Sequence, residues 1–274
     1  AYSKGINFID TAEYYENYQY IREALKDINR KDYVITTKCY AYTREMAAKS
    51  LDKALRELDT DYIDIFMLHE QESIYTLKGH REAIEFFLEA KEQGKIRAFG
   101  ISTHFIAGVL GANQLNEVEI IHPIINIDGI GIQDGNVMDM IKALEVSHSL
   151  GKGIYGMKPL GGGHLISRYK EAFEFVQNIE YIHSIAIGMQ SKEEIDCNVS
   201  LIENGTIPMN LADNLKKKNR KLIVADYCIG CGNCVNRCCH SGIEIIEGKA
   251  VPNENCILCS YCAKACPEFC IKIV

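Results

Sequence analysis

Ten of the twelve cysteines in this 274-residue chain fall between Cys228 and Cys270. Eight of them form two runs, Cys228-x2-Cys231-x2-Cys234-x3-Cys238 and Cys256-x2-Cys259-x2-Cys262-x3-Cys266-Pro267. The second run begins 28 residues after the first, so the segment is an internal repeat. Three closely spaced thiolates on a tight loop can hold three corners of an iron–sulfur cubane, and the fourth corner must come from elsewhere in the chain. In runs of this spacing the fourth cysteine ligates the other cluster. The expected sets are Cys228, Cys231, Cys234 and Cys266 for one [4Fe–4S] cluster and Cys256, Cys259, Cys262 and Cys238 for the other. Zinc sites also use Cys-x2-Cys pairs, but typically two pairs separated by a longer gap. The twice-repeated x2/x2/x3 spacing fits two iron–sulfur clusters better. Cys39 reads as a small buried side chain, and Cys197, Cys239 and Cys270 carry no assignment.

A second set of reactive residues lies near the start of the chain. Short apolar runs end in Asp10-Thr-Ala-Glu-Tyr-Tyr15, in Lys38 and in His69. If these runs are consecutive strands of a barrel, Asp10, Tyr15, Lys38 and His69 converge at the C-terminal mouth, where such folds place their chemistry.

The elements that must position these groups are legible as an alternation. Strands are expected at Ile6–Thr11, Tyr33–Lys38, Ile63–His69, Ala98–Ser102, Glu119–Asn126, Gly153–Lys158 and Ser184–Gly188. Their near-continuous apolar character is that of parallel strands buried on both faces. Helical patterns lie between them: Arg44–Leu58 behind an N-cap at Thr43, Arg81–Gln93 closed by Gly94, and Glu193–Glu203 closed near Gly205. Repeated βα units predict an α/β fold with a parallel sheet, and seven in a row favour a (β/α)8 TIM barrel. The first strand lies close to the start of the chain, which has no initial Met. The expectation is a barrel whose first βα unit is missing from this chain.

The segment from Gly242 to Val251 reads as a β-hairpin turning at Glu247-Gly248. A hairpin joining two cysteine runs resembles the bacterial two-cluster ferredoxins, although Cys239 stands where that family usually has Pro. The expected organisation is a barrel over residues 1–205, a linker over 206–222, and a small α+β ferredoxin-like domain over 223–274. The linker region carries the basic run Lys216-Lys-Lys-Asn-Arg-Lys221, expected to be a solvated connector helix.

Residues 4–205 resemble the aldo-keto reductase family. The Asp10-Thr-Ala-x-x-Tyr15 motif, the Lys38 closing Val-Ile-Thr-Thr-Lys and the His69 closing Ile-Asp-Ile-Phe-Met-Leu-His carry the likeness. Gly100-Ile-Ser102, the loop Pro159-Leu-Gly-Gly-Gly163, the stretch Gly188-Met-Gln-Ser191 and Asn198 extend it. The combination with a ferredoxin-like tail resembles a bacterial and archaeal subgroup of that family. The resemblance implies an oxidoreductase acting on a carbonyl or alcohol with NAD(P)H. Tyr15 would be the general acid, Lys38 would tune it, Asp10 would anchor Lys38, and His69 would orient the carbonyl. A free tyrosine has a pKa of about 10, and a nearby ammonium lowers it by favouring the tyrosinate. Ser102, Gly188, Ser191 and Asn198 would contact the nicotinamide cofactor. Glu194 stands at about the place of an Arg that clamps the 2′-phosphate of NADP. A carboxylate there repels a phosphate but bonds a ribose hydroxyl, so any preference is expected to tilt toward NADH.

Bulk composition narrows the partners. A net charge of −7 argues against nucleic acid or an anionic membrane surface. Dense cysteines in one segment, rather than spread through the chain, point to metal binding in a reducing, cytoplasmic setting. The expected partners are a small carbonyl or alcohol substrate and a redox protein. Nicotinamide moves electrons in pairs and each cluster moves one, and no flavin signature bridges them. The competing expectation is therefore an electron-transfer subunit whose barrel binds nucleotide or docks without turnover.

Overall fold

The computed structural model describes residues 1–209, 220–259 and 261–274. Seven parallel strands lie in sequence order: β1 (Phe8–Asp10), β2 (Val34–Cys39), β3 (Ile63–Leu68), β4 (Ile96–Thr103), β5 (Ile120–Pro123), β6 (Gly153–Met157) and β7 (Ser184–Ala186). All seven expected strands are present, most of them shorter at their ends. β5 stops at Pro123, which has no N–H to extend a ladder. The connecting helices are α1 (Tyr18–Leu25), α2 (Arg44–Leu58), α3 (Ile74–Gly79), α4 (Arg81–Glu92), α5 (Ile106–Asn113), α6 (Val137–Ser149), α7 (Tyr169–Gln177) and α8 (Lys192–Asn204).

Local signals in the sequence explain several boundaries. The Thr43 hydroxyl accepts the Met46 N–H, satisfying one of the free donors at the start of α2. Asp59 then closes α2 in the left-handed conformation. Ala47, Leu51, Ala54 and Leu58 of α2 are buried. Gly205 ends α8 at φ 64°, its N–H returning to the Leu201 carbonyl. Phe66 of β3, Phe87 of α4 and Phe99 of β4 stack in sequence, with centroids 4.6 and 5.8 Å apart. This aromatic column fixes α4 against the sheet.

The chain divides into two compact units. The first comprises Ala1–Pro123, Asp134–Gly156 and Tyr181–Ala186 and contains nearly all of the sheet. The second comprises Ile124–Gln133, Met157–Glu180 and Ile187–Val274. Within the second unit the cysteine-rich segment forms two small antiparallel ladders. β8 (Leu222–Val224) pairs with β11 (Ile271–Ile273), and β9 (Ile243–Ile246) pairs with β10 (Lys249–Pro252). The expected hairpin is β9–β10, turning at Glu247 (φ 49°) and Gly248 (φ 77°), the pair of positive angles a tight two-residue turn requires. Two short helices, α9 (Asn233–Arg237) and α10 (Tyr261–Lys264), follow the cysteine loops. Leu222, Ile243, Ala250 and Ile271 pack with Cys234, Cys262 and Cys270 in a small core.

Leu222, the last residue of the expected linker, already belongs to β8. Lys216, Lys217, Lys218 and Asn219 of the basic run lie outside the described residues. Among the described residues no helix is long and apolar enough to cross a membrane.

Candidate functional site

The first unit brings the four expected residues of the barrel mouth together. Asp10 ends β1, Lys38 is the penultimate residue of β2, and His69 follows β3 directly. Tyr15 closes a short 3-10 turn, Glu13–Tyr15, after β1. Lys38 is 1% exposed, and its Nζ donates to the Asp10 carboxylate at 2.9 Å and to the Thr11 carbonyl at 2.7 Å. Burial pulls the Lys38 ammonium below the usual lysine pKa, while the charge of Asp10 and its hydrogen bond oppose that shift. The same Nζ stands 5.3 Å from the centre of the Tyr15 ring. His69 is buried, with its ring edge-on to Tyr15 at 5.9 Å. Tyr15 itself is 48% exposed.

Of the groups that surround this set, the sequence pointed only to His122, at a position where the resembled family often has Gln; Tyr40, Glu70 and Tyr155 were not singled out. Tyr40 stacks on His69 at 4.6 Å and donates its hydroxyl to Glu70 at 2.6 Å. Partial burial, followed by the Glu70 contact, holds the Tyr40 phenol well above the usual range. The hydroxyl of Tyr155 of β6 donates to Asp10 Oδ1 at 3.1 Å. Its hydroxyl also meets the Thr36 hydroxyl at 3.0 Å. His122 of β5 stacks on Tyr155 at 3.8 Å. Its Nδ1 donates to the Tyr155 carbonyl at 2.7 Å, since a carbonyl can only accept, and its Nε2 lies 3.6 Å from Asp10. Asp10 is thus approached by Lys38, Tyr155 and His122. Period-two alternation puts Thr36 and Lys38 on one face of β2. A tyrosine hydroxyl inside an apolar strand usually has a polar partner. Those were the available signals.

Ser102, expected at the cofactor, has a contact inside the protein. Its hydroxyl accepts the Glu70 N–H at 2.9 Å, and its carbonyl accepts the Gln71 N–H at 2.8 Å. It therefore ties down the turn that follows His69, where Glu70 has a φ of 52°.

The other three expected cofactor residues belong to the second unit. Gly188 has open space where a side chain would start. Ser191 caps α8 by accepting the Glu194 N–H at 3.3 Å, and the Glu194 carboxylate accepts the Gln190 N–H at 2.7 Å. Asn198 is buried and accepts the Tyr169 hydroxyl. Two carboxylates, Glu193 and Glu194, occupy the first turn of α8. A helix start attracts anions, but these carboxylates oppose a further phosphate there.

The glycine loop Gly161–Gly163 is packed by the chain itself. A Cβ on Gly163 (φ 94°) would sit 2.1 Å from the Ile273 carbonyl oxygen. One on Gly162 would meet Phe269 and Lys272 at 3.1 Å. His164 donates from Nε2 to the Ile271 carbonyl at 2.9 Å.

The eight expected cluster cysteines fall into the expected sets of four. Cys228, Cys231, Cys234 and Cys266 border one hollow, and Cys238, Cys256, Cys259 and Cys262 border another. Two thiols already accept backbone N–H groups, Cys238 from Gly242 at 3.2 Å and Cys228 from Ala250 at 3.4 Å. Such donors stabilise the negative charge of a cluster's sulfurs and tune its potential. Among the described residues no three His, Cys, Asp or Glu side chains are gathered closely enough to hold a single metal ion. A single zinc needs its thiolates at about 2.3 Å, whereas a cubane takes one thiolate at each of its corners. The donor set at each hollow is therefore made of soft cysteine sulfurs.

Comparison with known proteins agrees with the barrel part of this picture. A family model described as aldo/keto reductase family matches residues 1–201. L-Galactose dehydrogenase of Arabidopsis thaliana is 29% identical over 179 residues, covering 60% of this chain and 54% of that protein. Methylglyoxal reductase DkgB of Salmonella typhi is 30% identical over 132 residues, covering 42% of this chain and 48% of that protein. The chain spans about half the length of the curated relatives it matches. Among solved structures, aldo-keto reductase AKR11C1 from Bacillus halodurans in its holo form superposes with a TM-score of 0.63 at 21% identity. That superposition covers 79% of this chain and 83% of the other. At that identity the likeness is one of fold.

Proposed function

The chain belongs to the aldo/keto reductase family, and from that premise we propose that it is an iron–sulfur oxidoreductase acting on a small carbonyl or alcohol at Tyr15. The observation that carries this proposal is the buried Lys38 ammonium, bonded to Asp10 at 2.9 Å and 5.3 Å from the Tyr15 ring. A carbonyl gains a proton on its oxygen as it is reduced, and the donor must be acidic enough at neutral pH. Tyr15 gives that proton. Lys38 favours the tyrosinate left behind and so lowers the cost of the transfer. Asp10 holds Lys38 in place, and His69 orients the carbonyl oxygen toward the Tyr15 hydroxyl. In the alcohol-oxidising direction the same tyrosinate takes the proton back. The methylglyoxal reductases and L-galactose dehydrogenase among the relatives support a small polar carbonyl or sugar-like substrate.

NAD(P)H, when bound, supplies the two reducing equivalents. Ser102, Gly188, Ser191 and Asn198 are the residues proposed to meet it. Glu194 favours a ribose hydroxyl over a 2′-phosphate. The eight thiols support a [4Fe–4S] cluster at each hollow, and each cluster, when bound, passes one electron at a time. In this proposal they serve a redox partner protein.

The test uses anaerobically reconstituted protein, NADH or NADPH, and a panel of aldehydes. Carbonyl reduction that Tyr15→Phe lowers by about a hundredfold or more is the expected result. Reduction unchanged in Tyr15→Phe would remove Tyr15 from its role. Clusters that bleach with reduced ferredoxin while no aldehyde turns over would favour an electron carrier instead.

A further inference from the structure

The two cysteine runs are related by a shift of 28 residues, which pairs Cys238 with Cys266 and Gly242 with Cys270. At the first position both halves carry the thiol that crosses to the other run. At the second they differ. Gly242 has no room for a side chain, because a Cβ there would lie 2.7 Å from the Cα of Cys256. It offers its N–H to Cys238 instead. Cys270, in the corresponding place, carries a thiol. That thiol is 2% exposed, borders the hollow of Cys228, Cys231, Cys234 and Cys266, and lies 3.3 Å from the Cys266 sulfur. Five thiols therefore border one hollow, and four border the other.

We propose that Cys270 is a reserve ligand of the first cluster, able to take the iron that Cys266 holds. This inference rests on the two-cluster proposal above. In the exchange the iron–sulfur bond to Cys266 breaks and one to the Cys270 sulfur forms. The proton leaving the Cys270 thiol ends on Cys266. No electron moves, so the oxidation state of the cluster is unchanged. The two sulfurs are close enough for side-chain rotation to carry the swap. The backbone at Cys270 stays anchored, since its carbonyl accepts the Ala225 N–H at 2.8 Å. The second cluster has glycine where this reserve would be, so the two clusters differ in their tolerance of ligand loss.

The test is anaerobic reconstitution of the full chain with ferrous iron and sulfide, reading iron, acid-labile sulfide and the electron paramagnetic resonance of the reduced clusters. Wild type is expected to hold about eight irons per chain, four per cubane. Cys266→Ala keeps about that number with one altered resonance, whereas Cys266→Ala/Cys270→Ala and Cys238→Ala each fall to about four. Cys266→Ala holding no more iron than the double variant would overturn the proposal. A second measurement leaves all eight primary ligands in place. Cys270→Ala should release iron to a chelator several-fold faster than wild type in the phase belonging to the first cluster, and an unchanged rate would also overturn it. Wild type that takes up no labile sulfide would instead sink the two-cluster proposal on which this one rests.

Discussion

The Tyr155 hydroxyl lies 3.1 Å from Oδ1 of Asp10, so the carboxylate that pairs with Lys38 is also held from the interior of the barrel. Tyr155 is buried, and the Asp10 charge adds to burial in holding its phenol well above the usual range. It stays protonated and acts as a donor to Asp10. A carboxylate held by this second donor keeps the Lys38 ammonium where Tyr15 can use it.

Tyr155→Phe removes that donor and leaves the ring in place. The expected cost in stability is about 1 kcal/mol, the usual worth of one buried hydrogen bond. Because Tyr155 acts through Asp10 and Lys38, kcat for carbonyl reduction should fall with little change in KM, and the alkaline limb of its pH profile should move. A change in KM alone, in steady-state kinetics across pH, would show that Tyr155 does not position the proton donor.

Lys38→Met strands the Asp10 carboxylate beside an apolar side chain. Breaking a buried ion pair by removing one partner costs on the order of 3 kcal/mol, and carbonyl reduction should be lost with it. The pH dependence has a definite sign. The folded-state pKa of Lys38 is lowered from 10.5, chiefly by burial. Between that lowered value and 10.5 the unfolded chain binds more protons than the folded one, so this group's contribution to stability rises with pH. The gap in Tm between wild type and Lys38→Met should therefore widen as pH climbs toward 10.5. A gap that narrows would contradict the assignment.

Gly163→Ala tests the packing inside the second unit. The new methyl would meet the Ile273 carbonyl oxygen at 2.1 Å, on a backbone at φ 94°. Strain and clash together should cost about 3 kcal/mol. Gly188→Ala meets nothing within 4 Å and should leave thermal unfolding close to wild type. Equal Tm losses for the two variants would mean that the close approach to Ile273 carries no weight.

Glu194→Arg tests cofactor choice. Wild type should bind NADH at least as tightly as NADPH, because Glu194 and its neighbour Glu193 repel a 2′-phosphate at the start of α8. The arginine should improve NADPH affinity about tenfold relative to NADH, the worth of one charge-assisted contact of roughly 1.4 kcal/mol. Calorimetry showing much tighter NADPH binding in wild type would reverse the preference argued from Glu194.

The linear chain determined much of this protein by itself. Apolar runs alternating with amphipathic ones foretold seven parallel strands. Thr43 and Gly205 marked helix ends that the structure uses, because capping is a local hydrogen-bonding matter. The repeated cysteine spacing foretold which four thiols share a hollow, since fixed short spacings leave little freedom. The groups around Asp10 were another matter. Tyr155 is 145 residues away from it, and no spacing rule links them. They meet because β6 and β1 both turn side chains inward, and inward parity within a short apolar strand is ambiguous by one residue. The fifth thiol at the first hollow and the glycine loop closed by Ile273 are likewise products of packing. Local chemistry could be read from types and spacing, but which distant groups share a carboxylate or a hollow was decided only when the chain folded.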